Sequence, residues 1–215
     1  MSEPALSFVH RFVPARRPGV RPLLLLHGTG GNEDDMIPLG TTLGDGAALL
    51  SLRGKVSERG MPRFFRRVAE GVFDQEDVRR RAEELADFVA AARERYQIAA
   101  PFAVGYSNGA NVAAALMLLR PQALAGAILL RATMPLDDPP AADLAGLPVL
   151  ILSGEQDTII APASSQRLAE LLVRAGARVA HRTLPLGHEL SPVDVTMGRQ
   201  WFATNGAEPA PAAPA

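Results

Sequence analysis

The sequence predicts an α/β fold: a mostly parallel central sheet flanked by helices on both faces. Two observations carry this. Short apolar runs alternate with segments of helical periodicity along nearly the whole chain, and strands that alternate with helices form parallel sheets. Several of the runs are continuously apolar, such as the four leucines of Leu23 to Leu26. A continuous run marks a strand buried on both faces, as in a sheet covered by helices.

The elements follow in order. Leu6 to Val13, rich in Phe and Val, reads as an edge strand, and Pro14 to Arg21 as a turn. Leu23 to Leu26 is the first buried strand and runs into a glycine-rich loop. Ala47 to Leu52, Phe102 to Tyr106, Ala127 to Leu130, Val149 to Leu152 and Arg178 to Leu184 repeat the theme. In Asp77 to Tyr96, Val78, Ala82, Leu85, Val89, Ala92 and Tyr96 share one helical face. Asn108 to Leu119 is apolar on most sides, as for a helix pressed against a sheet. Ser164 to Arg174 presents Leu168, Leu171, Leu172 and Ala175 on one face, after a proline suited to a helix start. Residues 1–204 read as a single domain. Residues 205–215 (NGAEPAPAAPA) read as a disordered tail.

Composition removes several function classes. With 22 basic and 23 acidic residues the formal net charge is -1, so no global positive field awaits a polyanion. There is no cysteine, which excludes disulfides, cysteine nucleophiles and thiolate-bound zinc. Four histidines and no H-E-x-x-H argue against a metal site, and no cofactor is called for. No apolar run reaches the ~18 residues of a membrane span. The N-terminus has no signal-peptide pattern, so the expected location is cytoplasmic.

The polar clusters fall at the expected carboxyl ends of strands, where ligand sites of such sheets lie. Gly105-Tyr106-Ser107-Asn108-Gly109 is a G-x-S-x-G pattern between a strand and a helix. There the sharp turn lifts the serine hydroxyl clear of the sheet, and the glycines admit close packing that any side chain would block. Ser107 is the candidate nucleophile. Two histidines follow it: His181 lies within a strand pattern, while His188 lies in the turn after that strand and is the candidate base. For the acid, Asp157 follows the buried run Val149 to Leu152; Glu155, Asp137 and Asp138 are competitors. The order Ser107, Asp157, His188 is the chain order such a triad takes in this architecture. An oxyanion hole needs two backbone N–H groups. Asn108, directly after the nucleophile, supplies one, and Thr29 in the His27-Gly28-Thr29-Gly30-Gly31 loop supplies the other. That loop lacks the Lys-Ser/Thr pair of a phosphate-binding loop, and a plain glycine turn is its bland alternative. His27 reads as structural, holding the loop by its ring nitrogens.

Arg53 to Asp74 is irregular, with four large apolar residues, Met61, Phe64, Phe65 and Phe73. It reads either as satellite core or as the wall of a small apolar acyl pocket, with Met134 as a substitute wall. Only 18 residues separate Leu130 from Val149. Pro135, Pro139, Pro140 and Pro148 make that segment a poor helical cap, so no separate lid is expected.

The stretches LLLLHGTGGNEDD, GYSNGANVAAAL, LSGEQDTIIAP and LPLGHELS, in this order and spacing, resemble the carboxylesterase/phospholipase family of small bacterial α/β-hydrolases. The GYSNGAN and R-G-K…G-M-P-R-F-F…F-D stretches are similar to the branch of serine esterases associated with hydroquinone or catechol stress. The resemblance spans about Leu6 to Phe202. It implies a compact, lidless hydrolase of short acyl esters, often a homodimer, with the triad and oxyanion donors named above. Acyl-protein thioesterases belong to the same family. Leu52 departs from the pattern, which has proline there. The activity expected is hydrolysis of short-chain carboxylic esters by a serine carboxylesterase through an acyl-enzyme. The alternatives are a thioesterase or lysophospholipase of the same fold, or a non-catalytic ligand-binding member.

Overall fold

The computed structural model describes residues 6–208. Among them runs a seven-stranded sheet ordered β1-β3-β2-β8-β9-β10-β11. Its strands are β1 (His10–Val13), β2 (Leu23–Leu26), β3 (Leu49–Leu52), β8 (Phe102–Tyr106), β9 (Gly126–Leu130), β10 (Pro148–Gly154) and β11 (Arg178–Leu184). The edge strand β1 pairs antiparallel with β3, and the remaining neighbours are parallel. The helices are α1 (Ile37–Gly44), α2 (Gln75–Tyr96), α3 (Asn108–Leu119), α4 (Pro162–Arg174) and α5 (Pro192–Asn205). The expected α/β architecture is the one found.

Side-chain alternation along the strands builds two cores. Leu24 and Leu26 point to the face covered by α2, α3 and α4, and Leu23 and Leu25 to the face covered by α1 and α5. Every residue of β2 and β9 is buried, which is why those segments read as unbroken apolar runs. Asp74 caps α2, accepting from the Asp77 N–H, and Gln97 ends it in a left-handed conformation.

Four expectations need correction. The first strand begins at His10, and Leu6 to Val9 lies outside it. Helices α1 and α5 went unassigned. Each carries glycine within its helical residues (Gly40 and Gly44, and Gly198), which blurs an apolar stripe. The irregular stretch 53–74 forms two small hairpins, β4 (Val56–Glu58) with β5 (Met61–Arg63) and β6 (Arg67–Ala69) with β7 (Val72–Phe73). The proposed disordered tail starts too early: Asn205 ends α5, Ala207 bridges to Val20, and the Glu208 N–H donates to Gly19 O. The rest of that tail, 209–215, lies outside the described residues.

The segment between β9 and β10 contains turns and no helix, so no lid stands there. Among the described residues no helix is long and apolar enough to cross a membrane.

Candidate active site

The site forms where β2, β8, β9, β10 and β11 end side by side. Ser107 sits between β8 and α3 with φ 52° and ψ -114°, a strained conformation for a residue with a side chain. Two glycines make that turn possible. A Cβ on Gly109 would stand 2.1 Å from Leu26 O, and one on Gly105 would stand 2.6 Å from the Ala110 backbone. The Ser107 N–H donates to Leu130 O at 2.8 Å, tying the turn to β9.

His188 and Asp157 come to Ser107 from the ends of β11 and β10. His188 Nε2 lies 3.0 Å from Ser107 Oγ, and His188 Nδ1 lies 2.8 Å from Asp157 Oδ2. Asp157 is buried, and its Oδ1 accepts the N–H groups of Ile159 and Ile160, both at 2.8 Å. Those bonds leave Oδ2 aimed at the imidazole. Of the competing acids, Glu155, Asp137 and Asp138 are exposed. A second Ser–His contact exists, Ser153 Oγ to His181 Nε2 at 2.8 Å, but the other ring nitrogen of His181 faces Gln166 rather than a carboxylate. Burial lowers the His181 pKa.

The β2 loop reaches the same place. Thr29 and Asn108 line the cleft together with Ser107 and His188. As the first residue of α3, Asn108 has an N–H with no intrahelical acceptor. Its side chain faces the other way, where Oδ1 accepts from the Phe64 N–H at 2.7 Å. His27 braces the loop as expected. Nε2 accepts from the Gly54 N–H at 3.0 Å, so Nδ1 carries the proton and donates to Gly28 O at 2.6 Å. Burial pushes the His27 pKa down, in keeping with a neutral ring.

The cleft encloses about 420 Å³ and is not the small apolar pocket expected. Its walls mix Phe73, Tyr106, Ile159 and Ile160 with Arg63, Arg67, Asn111, Thr133 and Ser164. Of the five proposed wall residues only Phe73 lines it. Phe64 and Phe65, 2% and 0% exposed, belong to the core on the α2 and α3 side. Both lie in the short link between β5 and β6, where the Phe64 N–H donates to Asn108 Oδ1 and the two rings pack into that core. Met61 is exposed beside Gly30, outside the lining, and Met134 packs against the same core. A larger hollow of about 850 Å³ lies between α1 and α5 and the 17–20 turn, and no histidine lines it.

Sequence reasoning missed four contributors. Tyr106 lays its ring against His188, with centroids 5.6 Å apart, and donates its hydroxyl to His188 O at 3.2 Å. Arg131, at the end of β9, is fully buried and donates to Gly187 O and Glu189 O, on either side of His188. Arg63 and Arg67 line the cleft. A charged residue closing the apolar run Gly126–Leu130 was a readable signal, since arginine is rarely buried without a partner. The arginines of the 53–74 stretch were overshadowed by its aromatic rings.

A family model described as Phospholipase/Carboxylesterase matches residues 55–208, most of the chain. The chain belongs to the phospholipase/carboxylesterase family. Its relatives include the Bacillus subtilis hydrolase MhqD, 43% identical over 182 residues that span 84% of this chain and 91% of that protein. Among solved structures, the Bacillus cereus carboxylesterase superposes with a TM-score of 0.90 at 41% identity, covering 93% of this chain and 95% of that one. A carboxylesterase from Mesorhizobium loti superposes at 0.87 with 35% identity, covering 91% and 94%.

Proposed function

We propose that this protein is a serine carboxylesterase that hydrolyses small carboxylic esters through an acyl-enzyme, with Ser107 as nucleophile, His188 as base and Asp157 as its orienting acid. The observation that carries the reading is the hydrogen-bonded line from Asp157 through His188 to Ser107. His188 Nε2 takes the Ser107 proton as Oγ attacks the ester carbonyl. Asp157 holds Nδ1–H and offsets the charge of the imidazolium. The N–H groups of Thr29 and Asn108 receive the carbonyl oxygen as it becomes negative. His188 then returns the proton to the departing alcohol, leaving an acyl group on Oγ. Water repeats the cycle and releases the carboxylic acid.

Fluorophosphonate labelling followed by peptide mapping tests the nucleophile, and turnover of matched oxygen esters and thioesters tests the leaving group. Label on Ser107, ester turnover, and its loss by ~10⁴-fold or more in Ser107→Ala are the expected results. Label elsewhere, or full activity in Ser107→Ala, overturns the reading.

A further inference from the structure

The wall of the cleft carries more positive charge than its own hydrogen bonds consume. Arg63 ends β5 with its side chain only 5% exposed. Its Nη1 donates to Thr29 Oγ1 at 2.6 Å and its Nε to Phe65 O at 3.3 Å. Arg67 opens β6 and grips both oxygens of Glu58 through Nε, at 2.9 and 3.1 Å, while its Nη2 lies 2.8 Å from Oε1. The same carboxylate is 3.4 Å from Arg63 Nε, so one anion serves two guanidinium groups. Burial and the neighbouring Arg67 charge both disfavour the charge on Arg63, and only Glu58 opposes them. Among the described residues, neither Arg63 Nη2 nor Arg67 Nη1 donates a hydrogen bond to the protein; the bonds run through the other nitrogens. Both arginines line the cleft with Ser107 and His188. Glu58 lies outside that lining, and the acid within it, Glu70, is exposed to water at the β6–β7 turn, where its field is screened.

We propose that the cleft selects esters carrying a free carboxylate, which Arg63 and Arg67 hold while Ser107 meets the ester carbonyl. This rests on the serine esterase reading above. A carboxylate suits the site because it takes N–H donors from guanidinium groups in a planar, paired geometry. It also supplies the second negative charge that Glu58 alone does not. Arg63 touches the Thr29 side chain, so the bound carboxylate stands close to the loop assigned to the oxyanion. A short half-ester of a dicarboxylic acid, with its carboxylate and ester carbonyl a few bonds apart, is the substrate class this arrangement calls for.

The test compares kcat/KM of the full chain for monomethyl succinate and glutarate with methyl butyrate and valerate, their neutral counterparts. The half-esters are expected to be favoured about tenfold or more at low salt, as for hydrogen bonds to a charged group. The advantage should shrink in about 0.5 M NaCl. Two variants at the hairpin surface then move the ratio in opposite directions. Arg67→Gln removes a donor and lowers the half-ester to neutral-ester ratio. Glu58→Gln removes the competing carboxylate and raises it. A misfolded variant would depress both substrates together, so the opposite shifts in the ratio separate recognition from damage. Turnover of the neutral esters with no half-ester advantage, or the same ratio in both variants, overturns this inference and leaves the esterase reading standing. No turnover of either class together with an unlabelled Ser107 overturns both.

Discussion

Arg131 and Asp194 form a buried ion pair that grips the loop bearing His188. Arg131 Nη1 and Nη2 meet the two oxygens of Asp194 at 2.8 and 3.0 Å, and both side chains are sealed from water. The same guanidinium donates to Gly187 O at 2.8 Å and Glu189 O at 3.0 Å, one residue to each side of His188. Asp194 in turn accepts from the Ser191 N–H and hydroxyl, closing the capping box of α5. Arg131 itself has φ 55°, and its N–H is fixed to Leu152 O. His188 is therefore held from the end of β9, the strand that also receives the Ser107 N–H.

Removing one partner of this pair should cost both stability and rate. Asp194→Asn leaves a buried guanidinium underpaired, and a loss of about 3–5 kcal/mol in unfolding free energy is expected. It also loosens the His188 loop, which should lower kcat ~10–100-fold while KM stays nearly constant. The double variant Arg131→Met/Asp194→Leu separates the two effects. An apolar pair of similar volume should restore much of the stability, but not the grip on Gly187 and Glu189. Urea unfolding and steady-state kinetics on the same samples check this. Recovery of full kcat in the double variant would remove the positioning role.

Asp157→Asn should lower kcat by ~10³-fold or more, because the amide neither holds the His188 tautomer nor offsets the imidazolium charge. Asp137→Asn and Asp138→Asn are the controls. Both side chains are exposed, and the carboxylate on His188 Nδ1 belongs to Asp157. Their kcat should stay within about twofold of wild type, since surface substitutions away from special features change little. Steady-state rates with a single neutral ester rank the three, and a larger loss in either control would move the acid to the earlier loop.

The parts of this molecule that were legible in sequence are those governed by local rules. Leu23 to Leu26 and Gly126 to Leu130 announce a covered parallel sheet because both of their faces are apolar. Ser107 is legible because its turn demands glycine at 105 and 109, and the clash distances at those positions supply the reason. What sequence did not reveal depends on which way the chain faces within and between two short hairpins. Phe64 and Phe73 are close in sequence and alike in chemistry, yet one is core and the other lines the cleft. Arg131 and Asp194 are 63 residues apart, and no periodicity links them.

The two rings should answer to different measurements. Phe64→Ala removes a ring that packs at 4.8 Å from His27 and is 2% exposed. It should destabilise by about 3–5 kcal/mol with no shift in acyl preference. Phe73→Ala opens the cleft wall, leaving Phe65, whose ring lies 5.0 Å away, as the new surface. Its preferred acyl chain should lengthen by one or more carbons, each worth up to ~0.8 kcal/mol where it fits. A kcat/KM series over linear acyl chains, run beside thermal unfolding, distinguishes them. A shifted optimum in Phe64→Ala with an unchanged one in Phe73→Ala would reverse the assignment.

Acid should weaken the fold through His27. Its ring is neutral in the folded protein, with Nε2 accepting from Gly54 and Nδ1–H donating to Gly28. Protonation would turn Nε2 into a donor facing another donor. Burial is the main cause of its lowered pKa, so below the ordinary histidine value of 6.5 the unfolded chain binds a proton that the folded chain refuses. The stabilisation from a neutral His27 is thus full above that pH and is lost as pH falls toward the lower, folded value. Because the ring supports the Thr29 loop, the same acidification should reduce kcat before global unfolding. His27→Gln keeps an acceptor for the Gly54 N–H but does not titrate. Between pH 7 and pH 5, roughly the range in which histidine changes charge, wild-type Tm should fall more steeply than that of the variant. His181 is also shifted down by burial, so His181→Gln is the matched control, and its slope reports the separate contribution of the Ser153 contact. Parallel Tm slopes for wild type and His27→Gln would show that the loop does not sense acid through this ring.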